Sequence, residues 1–205
     1  MVVWFVTATL LPFLSKVNTA MATQSTYKSC RELFEDAKTR KELGNQCFKS
    51  GDSKKAKKHY LYALMITRSI SSRDTVGRSM AFFSGSIQSG LVYDEPQSFK
   101  EDVEYLESNC QKNLSLIFVN EKNWDKSLEY SKLALERNEN DPKSLYRHSF
   151  SALNLGLLDA AESCCNKLLE LEPDNKLYLK LLRDIQNQNA ANKNKEKKMY
   201  SRMFQ

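Results

Sequence analysis

Three stretches of the chain, Lys41–Leu64, Gln111–Leu135 and Leu145–Leu169, repeat one pattern of apolar, small and polar positions. In each, apolar residues recur three and four apart, break at a short turn and resume. That pattern predicts two amphipathic helices joined by a tight connection. When the stretches are aligned, Gly44, Ser115 and Ser149 share one position, and Ala56, Ser127 and Ala161 share another. Small side chains at both let the paired helices approach closely. Tyr60, Ser131 and Cys165 align next, followed by Ala63, Ala134 and Leu168. Pro173 falls where the second helix of the last pair has to stop, since proline has no N–H to continue it. Asn113 and Arg147 lie 34 residues apart, one repeat from each other. A fixed period of this size predicts an all-α solenoid of three helix pairs, each burying its apolar face on the next.

Such an array needs a terminal cap. Tyr178, Leu181, Leu182 and Ile185 give the stretch after Pro173 a helical apolar stripe, which predicts a capping helix over 176–205. From Gln186 the sequence turns polar, so this helix is expected to run beyond the body of the domain. The first and second repeats start at Ala37 and Ser108, which leaves extra residues between them. These fall at about 71–98, are rich in Ser and Gly, and lack a clear helical period, so a long inserted loop is expected there. Ser98 with Glu101 has the spacing of a capping box that would restart helix. Deleting or shortening such a loop costs little.

On these residues the chain resembles the tetratricopeptide-repeat modules found at the C-terminal end of large immunophilins and cyclophilins. It is similar, more loosely, to tetratricopeptide repeat protein 9, which also has a long insertion after its first repeat. The resemblance covers Ala37 to the end, apart from the insertion. It implies a right-handed solenoid whose inner helices line a groove for a partner's C-terminal peptide. In the family a lysine and an asparagine of the first repeat and an asparagine of the second hold the terminal carboxylate. A lysine and an arginine of the third hold upstream groups of an EEVD-type tail. Lys41, Asn45, Asn113, Lys143 and Arg147 match those types at those positions. The partners implied are the tails of heat shock protein 90 and heat shock protein 70, and the compartment implied is the cytosol.

The chemistry of the five residues supports that expectation on its own. A terminal carboxylate beside acidic side chains needs positive charge, plus neutral amide donors that hold geometry. Lys41 and Asn45, like Lys143 and Arg147, are four apart and share a helix face. All five are expected to line one groove, with Asn45, Lys143 and Arg147 facing water. Phe48, four residues after Gly44, fits either a pocket for an apolar side chain of the peptide or the core. The competing reading is a scaffold that holds an unrelated protein through its groove or insertion.

Charge sharpens the groove. The chain carries a formal net charge of +6, and the basic excess lies on the first repeat and the tail. There is no aromatic-interleaved basic platform or nucleic-acid motif, so an acidic peptide is expected rather than nucleic acid. Lys197, Lys198, Met199, Tyr200, Met203 and Phe204 lie in a stretch similar to the end of the immunophilin module, where calmodulin binding is a family property. A basic amphipathic helix fits that reading and equally a solvated extension of the cap. Cys30, Cys47, Cys110, Cys164 and Cys165 show no metal or redox spacing, which suits a reducing compartment. No triad, phosphate loop or carboxylate pair stands out, so no catalytic residue, metal or cofactor is expected, and no isomerase activity.

Residues 1–26 fall outside the repeat pattern, and the tetratricopeptide domain is expected over 27–205. Val2–Leu14 is apolar but has no basic residue before it and is broken by Pro12. It is shorter than the roughly 20 residues a membrane span needs. A disordered leader is expected here, against a targeting signal or an anchor.

Overall fold

A computed structural model describes the backbone over 29–84 and 96–203, and side chains over 29–72 and 96–203. The expected leader lies outside the described residues, as does Phe204. The described backbone forms α1 (Cys30–Lys49), α2 (Ser53–Ser84), α3 (Gln97–Asn120), α4 (Trp124–Arg137), α5 (Pro142–Asn154), α6 (Leu158–Leu171) and α7 (Lys176–Met203). Each of α1–α2, α3–α4 and α5–α6 is a helix pair, and α7 packs on the last of them. The first helices of the pairs touch one another in series, α1 to α3 to α5 to α7, whereas among the described helices α2, α4 and α6 touch only their chain neighbours. An array packed that way curves with its first helices on the inside.

The turn within each pair solves the same problem at the same repeat position. Gly51, Lys122 and Gly156 all have positive φ, at 86°, 56° and 76°. Glycine takes this conformation without strain, and lysine does not. The aligned small positions are all buried: Gly44, Ser115 and Ser149 on the first helices, and Ala56, Ser127 and Ala161 on the second. Ala56, Tyr60, Ala63 and Leu64 of the first pair join Cys110, Leu114, Ile117 and Phe118 of the second in one core. The third pair closes against the cap through Ala161, Cys165, Leu181 and Ile185. The helix before Pro173 ends at Leu171, as the sequence predicts.

The region between the first two repeats differs from the expected loop. Residues 71–84 continue α2 as helix, and α3 begins at Gln97, so only 85–95 of the expected insertion lie outside the described residues. Ser98 and Glu101 do not form a capping box. Pro96 is the N-cap and makes no side-chain bond, which puts Ser98 inside the helix. The capping box belongs instead to α1, where Ser29 and Glu32 bond each other's backbone N–H groups. Relative to the repeat, α1 and α3 both start early, and their added turns are packed. Phe34, Ala37, Ile70, Val103 and Leu106 form a separate core, with Phe99 at its edge. Phe34 meets Phe99 edge to face at 5.3 Å. Phe99, Val103, Leu106, Cys110, Leu114 and Ile117 are one unbroken helical stripe, and this was the signal in the sequence for the longer α3.

Candidate peptide-binding site

Lys41 and Asn45 lie on α1, Asn113 on α3, and Lys143 and Arg147 on α5, the three helices that line the inner side of the curve. Two of the five touch directly. The Asn113 amide Nδ2 donates to Asn45 Oδ1 at 3.1 Å, across the seam between the first and second pairs. The buried Tyr60 hydroxyl, from α2, donates to the same Asn45 oxygen at 2.7 Å. On its outer side the Asn45 Nδ2 donates to Glu42 Oε2 at 3.1 Å. The other oxygen of that carboxylate pairs with Lys41 Nζ at 2.7 Å. These bonds, Lys41 first and Asn45 second, hold the Glu42 carboxyl below its usual range although it is largely exposed.

The third-repeat half is built differently. Arg147 reaches back from α5 and donates to the Lys112 carbonyl at 2.8 Å and to Ser115 Oγ at 3.4 Å. Its guanidinium therefore sits on α3 one residue from Asn113, and burial pushes its pKa down while nearby Asp141 opposes this. Asp141 caps α5 by accepting from the Ser144 N–H. It also pairs with Lys112 Nζ at 3.1 Å, which locks the start of α5, and with it Lys143, to α3. Burial pushes the Asp141 carboxyl up, but the bonds from Ser144 and Lys112 outweigh it and hold the group low. Lys143 itself is exposed.

Only part of the expectation that Asn45, Lys143 and Arg147 face water survives. Lys143 does, but Asn45, Asn113 and Arg147 are half-buried and already hydrogen-bonded within the inter-repeat seam. The reason is close stacking: helices near enough to share a groove are near enough for short amides to meet. Phe48 packs half-buried against the core of the first two pairs, so its contacts favour the core over a peptide pocket. Tyr60 carries the sequence signal of a packing position only, and its role beside Asn45 was not legible from that.

The remaining candidate chemistry is structural. Burial pushes the Cys110 thiol up to about 12 and the Cys165 thiol to about 11, which keeps both as unreactive thiols. His148 is driven down by burial and lies 3.2 Å from Ser131 Oγ, a packing partner. Among the described residues no group of His, Cys, Asp and Glu is placed to hold a metal. No described helix is long and apolar enough to cross a membrane. At the far end of α7, Lys197, Lys198, Met199, Tyr200 and Met203 are all exposed, with the apolar three on one side of the helix.

Comparison with known proteins agrees with the repeat. The tetratricopeptide repeat family model matches residues 142–175, which is α5, α6 and the connection to α7. The chain is 28% identical over 95 residues to the peptidyl-prolyl cis-trans isomerase FKBP42 of Arabidopsis thaliana, covering 46% of this chain but only 26% of that protein. Among solved structures it is similar to the C-terminal tetratricopeptide-containing domain of a protein described as FK506-binding from Plasmodium falciparum. There the TM-score is 0.66 at 20% identity, over 82% of this chain and 97% of that one. It also resembles the Hsp90 co-chaperone Cns1 of Saccharomyces cerevisiae, with a TM-score of 0.53 at 21% identity, over 87% of this chain and 46% of that one. The third helix pair is thus a tetratricopeptide repeat, and the chain around it has the all-helical fold of the tetratricopeptide domains of immunophilins.

Proposed function

We propose that this chain is a non-catalytic adaptor that holds the free, acidic C terminus of a partner protein. The residues are Lys41, Asn45, Asn113, Lys143 and Arg147, and the tails are of the EEVD type carried by heat shock proteins 90 and 70. The observation that carries the reading is Glu42. In the free protein, Lys41 Nζ and Asn45 Nδ2 already grip the two oxygens of one carboxylate. A peptide's terminal carboxylate offers the same two acceptors and needs the same donors. Next to that point lies the amide of Asn113, and α5, tied to the same helix by Arg147 and by the Lys112–Asp141 pair, carries the two cations. The likeness to a yeast Hsp90 co-chaperone is consistent with this choice of tail, and a cytosolic location follows from it.

The test is a titration of the purified chain with an acidic peptide ending in EEVD, once with a free C terminus and once amidated. Affinity for the free acid is expected on the order of micromolar, about −8 kcal/mol. Amidation removes the charge that the donors serve and is expected to abolish most of it, since each charge-assisted bond contributes about 1.5–3 kcal/mol. The affinity should fall with added salt, because the groove is open to solvent. Equal binding of the two peptides would favour the scaffold reading. The exposed Met199, Tyr200 and Met203 face of α7, with Lys197 and Lys198 opposite, supports calmodulin as a second partner. A calcium-dependent mobility shift that is lost on removing 195–205 would establish it.

A further inference from the structure

Resting on the carboxylate-binding reading, we infer that the Tyr60 hydroxyl is a positioning group: it holds the Asn45 amide with its nitrogen turned to the groove, and selective capture of a carboxylate depends on it. A primary amide has a donor side and an acceptor side, and only the donor side serves a carboxylate. Turned the wrong way, Asn45 would present its oxygen to the ligand and repel it.

The surrounding groups fix the direction. Glu42 is an acceptor only, so the atom of Asn45 that lies 3.1 Å from it is the nitrogen. The oxygen therefore faces inward and needs donors, and it has two, the Tyr60 hydroxyl at 2.7 Å and Asn113 Nδ2 at 3.1 Å. Reversal would set the Asn45 nitrogen against the Asn113 nitrogen, and the Asn45 oxygen against the Glu42 carboxylate. When a ligand displaces Glu42, the outer constraint is lost and the inner one has to keep the amide in place.

Tyr60 is built for that task. It is 2% exposed, and burial raises its phenol to about 12, so it remains a donor throughout the neutral range. Its ring has room only because residue 44 is glycine: a Cβ there would lie 2.7 Å from Tyr60 Cε1. The aligned residues of the other pairs cannot do the same. Ser131 donates its hydroxyl to its own helix at Leu128, and Cys165 carries a thiol directed at the Tyr178 carbonyl.

Tyr60→Phe keeps the ring and removes only the hydroxyl. With the full chain and the acidic peptide in both forms, the variant should lose about tenfold in affinity for the free acid, roughly one hydrogen bond. Its weak binding of the amidated peptide should not change. In an Asn45→Ala background the same substitution should have no further effect, because Tyr60 acts only through Asn45. Unchanged free-acid affinity, an equal loss for both peptides, or a full loss repeated in the Asn45→Ala background would each overturn the inference while leaving the clamp standing. A wild-type chain that binds both peptides equally would defeat the clamp reading itself. Should Tyr60→Phe fail to fold, cross-relaxation in the wild-type chain decides. The Asn45 amide protons lie beside Glu42 if the inference holds, and against the Tyr60 ring if it fails.

Discussion

The first and third helix pairs are the same unit with different fillings. In the first, glycine at position 44 faces the large ring of Tyr60. In the third, Ser149 and Cys165 occupy the matching places, both fully buried. The larger partner gives the first pair a buried polar tip that reaches Asn45, whose amide oxygen accepts from both the Tyr60 phenol and the Asn113 amide. The third pair has no such tip. It supplies long cations instead, one bound back onto α3 and one free in solvent. A repeat architecture thus keeps its packing constant while one exchanged pair of residues changes what its inner face can offer a ligand.

Gly44→Leu should break this comparison most severely. The added side chain has no space against the Tyr60 ring, and overpacking of this kind costs about 3 kcal/mol. Thermal unfolding followed by circular dichroism should show the first pair lost or the midpoint strongly lowered. Arg147→Ala and Lys143→Ala sharpen the third-pair side of it. Both should remove most peptide binding, but their stabilities should separate. Arg147 gives up bonds to Lys112 and Ser115, at about 1 kcal/mol, whereas exposed Lys143 should cost less than about 0.5 kcal/mol. Urea denaturation of the two variants side by side checks this.

How much of this was readable beforehand divides along the repeat. The aligned small positions, the stripe of α7 and the stop before Pro173 were legible, because stacking imposes one spacing on every unit. The helices that bear Lys41, Asn45, Asn113, Lys143 and Arg147 were legible for the same reason. The added turns of α1 and α2 were not, since they belong to no repeat, and the start of α3 was legible only from its Phe99–Ile117 stripe, outside the period. Ser98 and Glu101 mimicked a helix start that Pro96 in fact provides. Nor did spacing reveal that Asn45 and Arg147 are tied into the seam, because a period gives the face of a helix but not the distance to the next one.

A smaller effect is expected from acid. The folded Asp141 carboxyl is held below its unfolded value of about 3.9, so its contribution to stability is complete above that pH. The contribution fades as pH falls through the lower folded value. Asp141→Asn should therefore flatten the fall in unfolding free energy below about pH 4, and it should loosen peptide binding by freeing the start of α5. The smallest change is expected from Lys122→Gly. Lys122 sits at φ 56°, where the matching turns have glycine, and relieving that strain should stabilise the chain by up to about 1 kcal/mol. Binding should not change.

The most direct measurement follows the side-chain amide signals of Asn45 and Asn113 by nuclear magnetic resonance in the intact ¹⁵N-labelled chain. If the inner helices form one carboxylate site, both signals shift together as the acidic peptide with a free C terminus is added, and both saturate at the affinity found by titration. The amidated peptide should leave them in place. Tight binding of the free-acid peptide with both amide signals unmoved would contradict a shared site on α1 and α3.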